Sequence, residues 1–494
     1  MVTKMQSTNK KVSSKKDTKR NLVKASTKYR ILVAAIITFV VLVCGGYIIN
    51  QTGVPARVLT GATIAGESVK VNELNYHFNE AYNMYYQYGI ITSKEDLNKV
   101  FDEATGQTYR DYLYDVAAQN QQNIILVNRE AKKEGFVSGY AARKVDEYIT
   151  SLRDYAKTKK TTADNILKSQ YGIGISVREI KSFMTREVTA QEYTEYLKQT
   201  KYTLTEEQMK AMYNAAPADY DTVTFNAYLV AAAFDATATD AQKTTAAALA
   251  KTQAQTILDA TKDAQSFRDA SEKAAGTAGA SQFADAADPT IYAKTAKTDV
   301  LSYLNTEVAD YLYSADRKAG DMTVIATDAG AYAVYFQSRQ LDTDASVNYR
   351  SILISDTDIA AAKAKAEGYQ ASVTDEASFI TLAKKYSDES TTAIKGGLTS
   401  NVTAASINTA APTEQEAALT AWLFSAARKP GDMTIIENVD GVTLYFYQKT
   451  LPSWEGTLLT TYAGTEYKTW YAALVAAEGN GYTLNMGALK FATY

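Results

Sequence analysis

The sequence is poor in the residues that bind metals, form disulfides or transfer protons near neutral pH. Its 494 residues include one cysteine, Cys44, and one histidine, His77. A single cysteine excludes an intrachain disulfide, so packing must stabilise the fold. No second histidine or nearby cysteine accompanies His77, and HExxH spacing is absent. The sequence therefore predicts no metal site and places His77 at the surface or rim of its helix.

Motifs for nucleotide binding and hydrolysis are also missing. The chain has no P-loop, no GxGxxG after a strand and no GxSxG elbow. A Ser-His-Asp triad would have to use His77, which has no supporting motif around it. The sequence predicts no bound cofactor and gives no support for hydrolase chemistry.

Charge is distributed unevenly along the chain. Residues 1–30 contain ten Lys or Arg and one acidic residue, Asp17, whereas residues 31–494 carry a net charge of −12. An uncharged hydrophobic run at 31–50 follows the basic tail, and this length crosses a bilayer. Basic residues before a membrane span predict a cytoplasmic N-terminus and an exported remainder. We therefore expect a membrane contact and no nucleic acid partner.

Two other interpretations of residues 31–50 stay open. A cleaved signal peptide would need small residues before the cut, and the glycine pair at 45–46 meets this only weakly. A lipoprotein would place Cys44 after a small residue, whereas residues 41–43 are bulky. We expect a single-pass anchor in the cell membrane with the bulk of the chain extracytoplasmic.

Residues 60–216 are predicted to form a mainly helical module. It opens with a short strand and turn at 63–71, where apolar and polar residues alternate. A helix capped by Asn72 and ended by Gly89 follows, and a capping box beginning at Thr205 opens the last helix. Apolar residues recur every three or four positions along the segments between them, which are predicted as helices at 107–134, 139–157, 163–171 and 176–199.

Tyrosine is concentrated in the first helix of this module. The string NEAYNMYYQYG contains Tyr82, Tyr85, Tyr86 and Tyr88. Such rings commonly pack the core and rim of a helical bundle. They also offer a large contact area with few rotatable bonds and a polar tip, which suits a groove for unfolded polypeptides. Both interpretations stay open, and the four tyrosines are candidate residues for binding unfolded polypeptides.

One seven-residue string occurs twice, as RKAGDMT from Arg317 and as RKPGDMT from Arg428. The match extends without gaps over 27 positions, of which twelve are identical. Upstream, residues 223–231 align with 347–355. The chain therefore contains tandem copies of one fold. Each copy predicts a strand, helices and two further strands around a glycine turn, which is an α+β arrangement.

The repeated string is predicted to form a corner of the fold. Gly320 and Gly431 fall where the last helix of each copy must turn into a strand, which favours positive φ. Met322 and Met433 would then begin those strands as core residues. The string is interpreted as a fold-defining corner and need not be a catalytic motif.

Two stretches of the second copy, residues 345–450, carry a known pattern. They are FITLAKKYSDESTTAIKGGL, from Phe379, and LFSAARKPGDMTIIENVDGVTLYFY, from Leu423. The helix end, the Gly-Gly turn and the closing strand resemble the parvulin, or PpiC-type, peptidyl-prolyl isomerase domain. Residues 221–340 share this resemblance only through the repeat. With the anchor and the helical module, the chain resembles PrsA-like and SurA-like extracytoplasmic foldases.

Parvulins place one histidine on the first strand, another on the last strand, and a Cys or Asp between them. The resemblance puts these positions at Ser351, Thr443 and Glu389, so both histidines are substituted. In the first copy the two histidine positions hold Ala227 and Tyr332. Prolyl isomerisation breaks no covalent bond, and a site need only stabilise the twisted imide. Serine, threonine and glutamate can still form hydrogen bonds, so residual activity stays open beside its loss.

The resemblance implies a membrane-anchored folding factor that holds or folds unfolded or partly folded exported polypeptides, with isomerase activity weak or lost. Two alternatives remain: an active isomerase with a substituted site, and a non-enzymatic surface scaffold. The sequence leaves the oligomeric state undetermined.

The last segment, residues 455–494, lies beyond both copies. Its apolar spacing predicts a helix ending near Gly479, and the residues after it alternate like a strand. An apolar helix and an unpaired strand would expose a large patch and an open edge. We therefore expect this segment to pack on the helical module and to pair with the strand at 63–71.

Overall fold

The computed structural model describes residues 53–284, 287–408 and 411–492. The predicted tail at 1–30 and anchor at 31–50 lie outside these residues. Within the described ranges, no helix combines the length and hydrophobicity that a membrane crossing requires. The described chain forms two compact units, one from residues up to Tyr193 together with those from Tyr471 on, the other from Thr194–Trp470. The predicted α+β class is confirmed.

The first unit is mainly helical. Its elements in chain order are α1 Val54–Val58, β1 Thr60–Ile64, β2 Glu67–Lys70, α2 Val71–Gln87, β3 Val100–Asp102, β4 Gln107–Thr108, α3 Tyr109–Lys133, α4 Ala141–Thr158, α5 Ala163–Tyr171 and α6 Val177–Thr200, whose last turns belong to the second unit. Asn72 does not cap α2 as predicted. It lies inside the helix, and its Nδ2 donates to the Gly174 carbonyl at 3.0 Å.

The core of this unit lies between α2 and α3. Leu74 and Phe78 on α2 are fully buried against Leu113 and Tyr114 on α3. The rings of Phe78 and Tyr114 are 4.4 Å apart between centroids. Each side chain of this size contributes about 1.5–3 kcal/mol when removed from water. The spacing of three or four residues on both helices produces this face.

The second unit contains two antiparallel sheets. The first follows α7 Glu206–Ala215, and its elements are β5 Asp221–Ala231, α8 Asp240–Ala260, α9 Ala264–Gly279, β6 Ile291–Ala296, α10 Lys297–Tyr303, α11 Thr306–Tyr313, β7 Met322–Thr327 and β8 Gly330–Leu341. Its strand order is β6-β5-β8-β7.

The elements of the second sheet, with the helix that follows, are β9 Ala345–Ser355, α12 Ile359–Ser372, α13 Glu376–Tyr386, α14 Ser390–Ala393, β10 Leu398–Thr403, α15 Ala404–Ile407, α16 Glu414–Leu423, β11 Met433–Asn438, β12 Gly441–Pro452 and α17 Ser453–Ala476. Its strand order, β10-β9-β12-β11, repeats the order of the first sheet. The central strands also share their register, because Ala231 lies opposite Gly330 in one sheet and Ser355 opposite Gly441 in the other.

The repeated string forms the same corner in both sheets. Gly431 has φ 93°, and its N–H donates to the Tyr447 carbonyl at 2.9 Å. Tyr447 N–H donates in return to the Asp432 carbonyl at 2.8 Å. The Asp432 carboxylate pairs with Arg428 at 3.4 Å. The residues 111 positions earlier repeat these contacts, with φ 93°, backbone distances of 3.0 and 2.9 Å and an ion pair of 3.1 Å.

The prediction for the two methionines is wrong in the first copy. Met322 is exposed, whereas Met433 is partly buried against the core of the second sheet. Both begin strands at a sheet edge. A strand at the edge of a sheet has a neighbouring strand on one side only, so burial of its first residue depends on which helix packs over it. The repeated string does not specify that helix.

The end of the chain completes the first unit. β13 Tyr482–Leu484 pairs antiparallel with β1, so that Ala62 lies opposite Leu484. α18 Met486–Leu489 follows, and its Leu489 is buried in the core between α2 and α3. Residues 453–470 of α17 belong to the second unit, so the part of the tail that packs in the first unit begins at Tyr471 and not at residue 455.

Candidate functional site

Strands β9 and β12 bring two of the predicted site residues to one face of the second sheet. Ser351 lies opposite Tyr445, and Leu353 lies opposite Thr443. Side chains alternate between the faces of a sheet, so Ser351, Thr443 and Tyr445 share a face. Ser351 and Thr443 are diagonal neighbours, which separates their Cα atoms by roughly 7–8 Å.

Aromatic rings cover this face. The rings of Tyr349 and Tyr445 meet edge to face with 5.7 Å between centroids. Trp422 of α16 lies 6.5 Å from Tyr445 and 6.2 Å from Tyr447. Only 9% of the surface of Ser351 and 5% of that of Thr443 is exposed to solvent. The two hydroxyl groups therefore lie in a nearly closed, mostly apolar environment.

The tyrosines of this face are held in their neutral form. Burial raises the pKa of Tyr445, and Tyr349 raises it further, while Gln415 and Thr443 act in the opposite direction. Burial also raises the pKa of Tyr349, opposed by Thr399. Both phenols keep their protons at neutral pH, so each can donate a hydrogen bond to a carbonyl.

Glu389 is occupied as a helix cap. Its carboxylate accepts hydrogen bonds from Thr391 N at 3.0 Å and Thr391 Oγ1 at 2.7 Å, at the start of α14. The neighbouring Asp388 ties this segment to β9, because its Oδ2 accepts from Ser355 N at 2.7 Å. Among the described residues, no hydrogen bond joins Glu389 to Ser351 or Thr443. The structure therefore brings Ser351 and Thr443 together, whereas the third predicted site residue, Glu389, caps α14.

The Gly-Gly turn packs directly against Ser351. Ser351 N–H donates to the Gly397 carbonyl at 2.9 Å. Gly397 has φ 80°, and a Cβ there would lie 2.5 Å from the Ser351 carbonyl oxygen. Only glycine permits this approach, so the turn fixes where β9 presents Ser351.

A family comparison covers this part of the chain. The model of the PPIC-type PPIase domain matches residues 332–444. The match runs from within β8 to Leu444 in β12 and includes Ser351, Glu389 and Thr443. Residues 332–444 carry a parvulin-type domain. Comparison with curated proteins gives no match to this chain.

Sequence reasoning missed the aromatic residues of the parvulin-type domain. Tyr349 precedes Ser351 by two positions, and Tyr445 and Tyr447 follow Thr443 at the same spacing. This period of two, applied to both strands, would have placed all three rings on the face of the predicted site. Trp422 gave no such signal, because the packing of α16 on that face is a tertiary contact.

The first sheet lacks the polar groups of the parvulin-type domain. Ala227 lies opposite Val334, and Leu229 lies opposite Tyr332, so the two predicted positions occupy the same places in the register. Ala227 is buried in an apolar cluster that Tyr332 borders. Alanine offers no hydrogen-bonding side chain, so this face has no equivalent of the Ser351 and Thr443 pair.

His77 is buried and not at the surface, contrary to the prediction. Only 2% of it is exposed, and its Nδ1 lies 3.0 Å from Glu80 Oε2. It borders a cavity of about 230 Å³ that Glu187 of α6 also lines. Helix α2 therefore packs on more than one side, whereas periodicity indicated a single buried face. Within the described ranges, no cluster of three or more His, Cys, Asp or Glu side chains is suited to a metal.

The four candidate tyrosines of α2 differ in exposure. Tyr86 and Tyr88 are 53% and 77% exposed. Tyr82 is partly buried, and its ring stacks on Tyr86 with 6.2 Å between centroids. Tyr85 is also partly buried, and its hydroxyl donates to Tyr112 at 2.9 Å. Tyr86 and Tyr88 are available to a partner, whereas Tyr85 mainly packs the rim of the core.

Further apolar side chains near these tyrosines are exposed. Phe101 stacks on Tyr112 with 3.9 Å between centroids, and Tyr112 in turn contacts Tyr85. We call the following exposed residues the aromatic patch: Met84, Tyr86, Tyr88, Ile90, Val100 and Phe101. Exposed apolar groups of this kind commonly mark interaction surfaces.

Proposed function

We propose that this protein is a membrane-anchored folding factor that binds unfolded or partly folded exported polypeptides and whose isomerase site is weak or inactive. The observation that carries the proposal is the buried face of the parvulin-type domain. Hydroxyl groups occupy the two positions that the resemblance aligns with the parvulin histidines, and tyrosine and tryptophan rings close the face above them.

Catalysis would require this face to accept a prolyl ring. The barrier to rotation about the imide is about 18–20 kcal/mol, and an isomerase must stabilise the twisted form better than the planar one. The hydroxyls of Ser351, Thr443 and Tyr445 can supply hydrogen bonds to such a form. Trp422 and Tyr445 must first move apart, because their rings pack against each other. This requirement favours weak or absent isomerase activity.

Polypeptide binding is supported by the aromatic patch. Tyrosine and phenylalanine offer large contact areas without requiring a particular sequence in the partner. Six exposed apolar side chains on one unit suit a surface that contacts many unfolded segments weakly. The resemblance to PrsA-like and SurA-like foldases also supports a role in binding unfolded polypeptides.

Membrane anchoring rests on the sequence. The uncharged run at 31–50 has the length of a bilayer span, and the basic residues before it favour a cytoplasmic N-terminus. The described units, which follow the run, would then lie outside the cell membrane.

We also propose that the first sheet belongs to a degenerate copy of the parvulin-type domain. Its strand order and central register are the same as those of the second sheet, and its corner repeats the same contacts. Ala227 stands at the position equivalent to Ser351 and offers no polar side chain, so we assign this copy a structural role without isomerase activity.

The first experiment measures isomerisation of a prolyl tetrapeptide by the full chain in nanodiscs. We compare wild type with the triple variant Ser351→Ala, Thr443→Ala, Glu389→Ala. The proposal expects the two rates to lie within about twofold of each other, since the site contributes little. A wild-type rate that falls tenfold or more in the triple variant would establish the alternative, an active isomerase with a substituted site.

The second experiment measures suppression of aggregation for several unrelated unfolded proteins. Wild type should suppress all of them, and Tyr86→Ser with Tyr88→Ser should weaken suppression severalfold. Tyr155→Ser on α4 is the matched control, because Tyr155 is also exposed and lies outside the aromatic patch. Activity towards a single folded partner alone would favour the surface scaffold.

A further inference from the structure

A cavity of about 540 Å³ lies within the second unit, on the other face of the second sheet. Asn348 and Arg350 of β9 line it, and they alternate with Ser351 along the strand. They therefore point away from the face that holds Ser351 and Thr443. The size is typical of a ligand-binding pocket. This cavity is distinct from the face where the isomerase site is placed.

One side of the cavity follows the edge of the sheet. β10 is the outermost strand, and the consecutive residues Leu398, Thr399 and Ser400 all line the cavity. Leu398 and Thr399 lie opposite Arg350 and Tyr349, before the pairing shifts register between Thr399 and Val402. These two residues point to opposite faces of the sheet, so a cavity that touches both lies along the edge. In the described part of the chain, only β9 forms strand pairing with β10. An open strand edge is a template for a further extended segment.

The cavity also carries positive charge that neighbouring acidic residues leave unbalanced. Lys198 pairs with Glu195 at 3.0 Å, and Arg350 pairs with Glu376 at 2.8 Å. Lys395 and Lys449 are exposed, and no ion pair engages either of them among the described residues. Two cations thus border this cavity in a protein whose residues 31–494 sum to −12.

Hydrogen bonds from Arg350 hold the backbone that carries Lys395. Its guanidinium is buried and donates to the carbonyls of Lys395 at 2.9 Å and Gly396 at 3.0 Å. A third hydrogen bond reaches Gln199 Oε1 at 3.3 Å. The backbone that carries Lys395 is therefore tied to β9 and to α6, and the ammonium group is presented from a fixed base.

Apolar side chains complete the cavity. Leu398, Leu451, Leu459 and Ala463 line it together with the polar groups. An apolar surface with a few charged groups at its margin suits a peptide that alternates apolar and acidic residues. We call the space between α6, β10 and α17 the β10 cleft.

We propose that the β10 cleft binds an extended acidic polypeptide segment, which adds as a strand to the outer edge of β10 and directs carboxylates to Lys395 and Lys449. The inference rests on the proposed function in that the occupant is a polypeptide. It requires no isomerase activity, because the cleft lies on the face away from Ser351 and Thr443.

The test measures binding of fluorescent eight-residue peptides to the full chain in nanodiscs of neutral lipid, by fluorescence polarisation. One peptide alternates Glu with Val, and its partner replaces every Glu with Gln. We expect the acidic peptide to bind about tenfold more tightly, with the difference shrinking as salt is raised.

Variants locate the binding site. Lys395→Gln and Lys449→Gln should each weaken binding of the acidic peptide about threefold, and together about tenfold. Lys385→Gln is the matched control, since Lys385 is an exposed lysine of the same domain that does not line the cleft. The basic residues of positions 1–30 are present in every variant, so binding to them would leave the double variant equal to wild type.

A third peptide tests strand addition. Methylation of alternate backbone nitrogens removes the N–H groups on one edge of the peptide and leaves its charge unchanged. One of the two possible methylation patterns should weaken binding about tenfold, because only one edge of the peptide faces β10.

Three results would overturn the inference: equal binding of the acidic and neutral peptides, a double variant that binds like wild type, or indifference to both methylation patterns. Measuring aggregation suppression with the same nanodisc preparation distinguishes failure of the β10 cleft proposal from failure of the proposed folding function. Suppression without acidic peptide binding refutes the β10 cleft alone. Peptide binding without suppression refutes the folding role and leaves the cleft as a peptide site.

Discussion

At Gly397 the backbone comes closer to the neighbouring strand than any side chain would allow. Replacing it with alanine introduces a Cβ about 2.5 Å from the Ser351 carbonyl oxygen at φ 80°. We expect Gly397→Ala to destabilise the parvulin-type domain by about 2–3 kcal/mol, from the left-handed backbone and the clash together. Hydrogen exchange across β9 and β10 measures this loss.

Gly368→Ala is the matched control for that variant. Gly368 is an exposed residue of α12, and a Cβ there meets no atom within 4 Å. Alanine at a helix interior should stabilise by about 0.5–1 kcal/mol. Equal exchange rates in Gly397→Ala and wild type would contradict the role assigned to the Gly-Gly turn.

Glu187 gives the first unit a dependence on pH. Burial raises the pKa of its carboxyl, Glu80 raises it further, and His77 and Tyr76 oppose the shift. A raised pKa means that the folded state holds a proton that the unfolded state releases. Stability is then highest below the ordinary pKa of glutamate and falls as pH rises through the folded value.

We therefore expect Glu187→Gln to be more stable than wild type at pH 7.5 and to approach it at pH 4. Urea unfolding followed by far-UV circular dichroism at both pH values measures the difference. Glu103→Gln, at an exposed loop position, is the control and should change neither value. A variant less stable than wild type at pH 7.5 would show that the ionised carboxylate stabilises the unit.

At the level of elements, β9 and β12 offer a test of the proposed isomerase site. Ser351 and Thr443 are diagonal neighbours, so paired histidines there would belong to one network and act non-additively. We expect Ser351→His with Thr443→His to raise prolyl isomerisation about tenfold, with less than twofold from either change alone. Ala227→His with Tyr332→His, at the equivalent places in the first sheet, should give no gain.

A folded double variant that is no faster than wild type would show that histidines at these two positions are not sufficient for isomerisation. The comparison is read from kcat/KM on a prolyl tetrapeptide, with circular dichroism as the check on folding.

The sequence predicts elements well where the signal is local. Helix α5 has the predicted bounds, 163–171, and α6 at Val177–Thr200 differs from its predicted bounds by one residue at each end. Thr205 caps α7 through the predicted capping box. Caps and periodicity act within a few residues, so they can be read from the chain directly.

Features that depend on distant contacts could not be predicted in this way. His77 is buried because α2 contacts more than one neighbour, and the face around Ser351 is closed because α16 brings Trp422 onto it. Glu389 occupies the aligned position but caps α14. Alignment assigns a position, whereas the hydrogen bonds of the folded chain decide which group the side chain serves.

For the whole molecule, the end of the chain contributes to the stability of the first unit. Leu489 of α18 is buried in the core between α2 and α3. We expect Leu489→Ala to destabilise this unit by about 2–4 kcal/mol, through lost burial and the cavity it leaves. Hydrogen exchange in β1 and α2 should rise while β9 and β12 stay protected.

Leu249→Ala is the control, because Leu249 is an exposed leucine of α8. It should leave exchange in both units unchanged. If Leu489→Ala raised exchange in β9 and β12 and not in β1, the tail would stabilise a different part of the molecule.

The pairing of β13 with β1 also sets an order of events during synthesis. The two strands are separated by more than 400 residues, and translation at about 5–20 residues per second takes roughly 20–80 s to cover that distance. Through that interval β1 has only β2 beside it, and its other edge is open to pairing with foreign strands. The two sheets, whose strands are closer in sequence, can form meanwhile. We therefore expect the described part of the nascent chain to fold from its middle outward, with the pairing of β1 completed last.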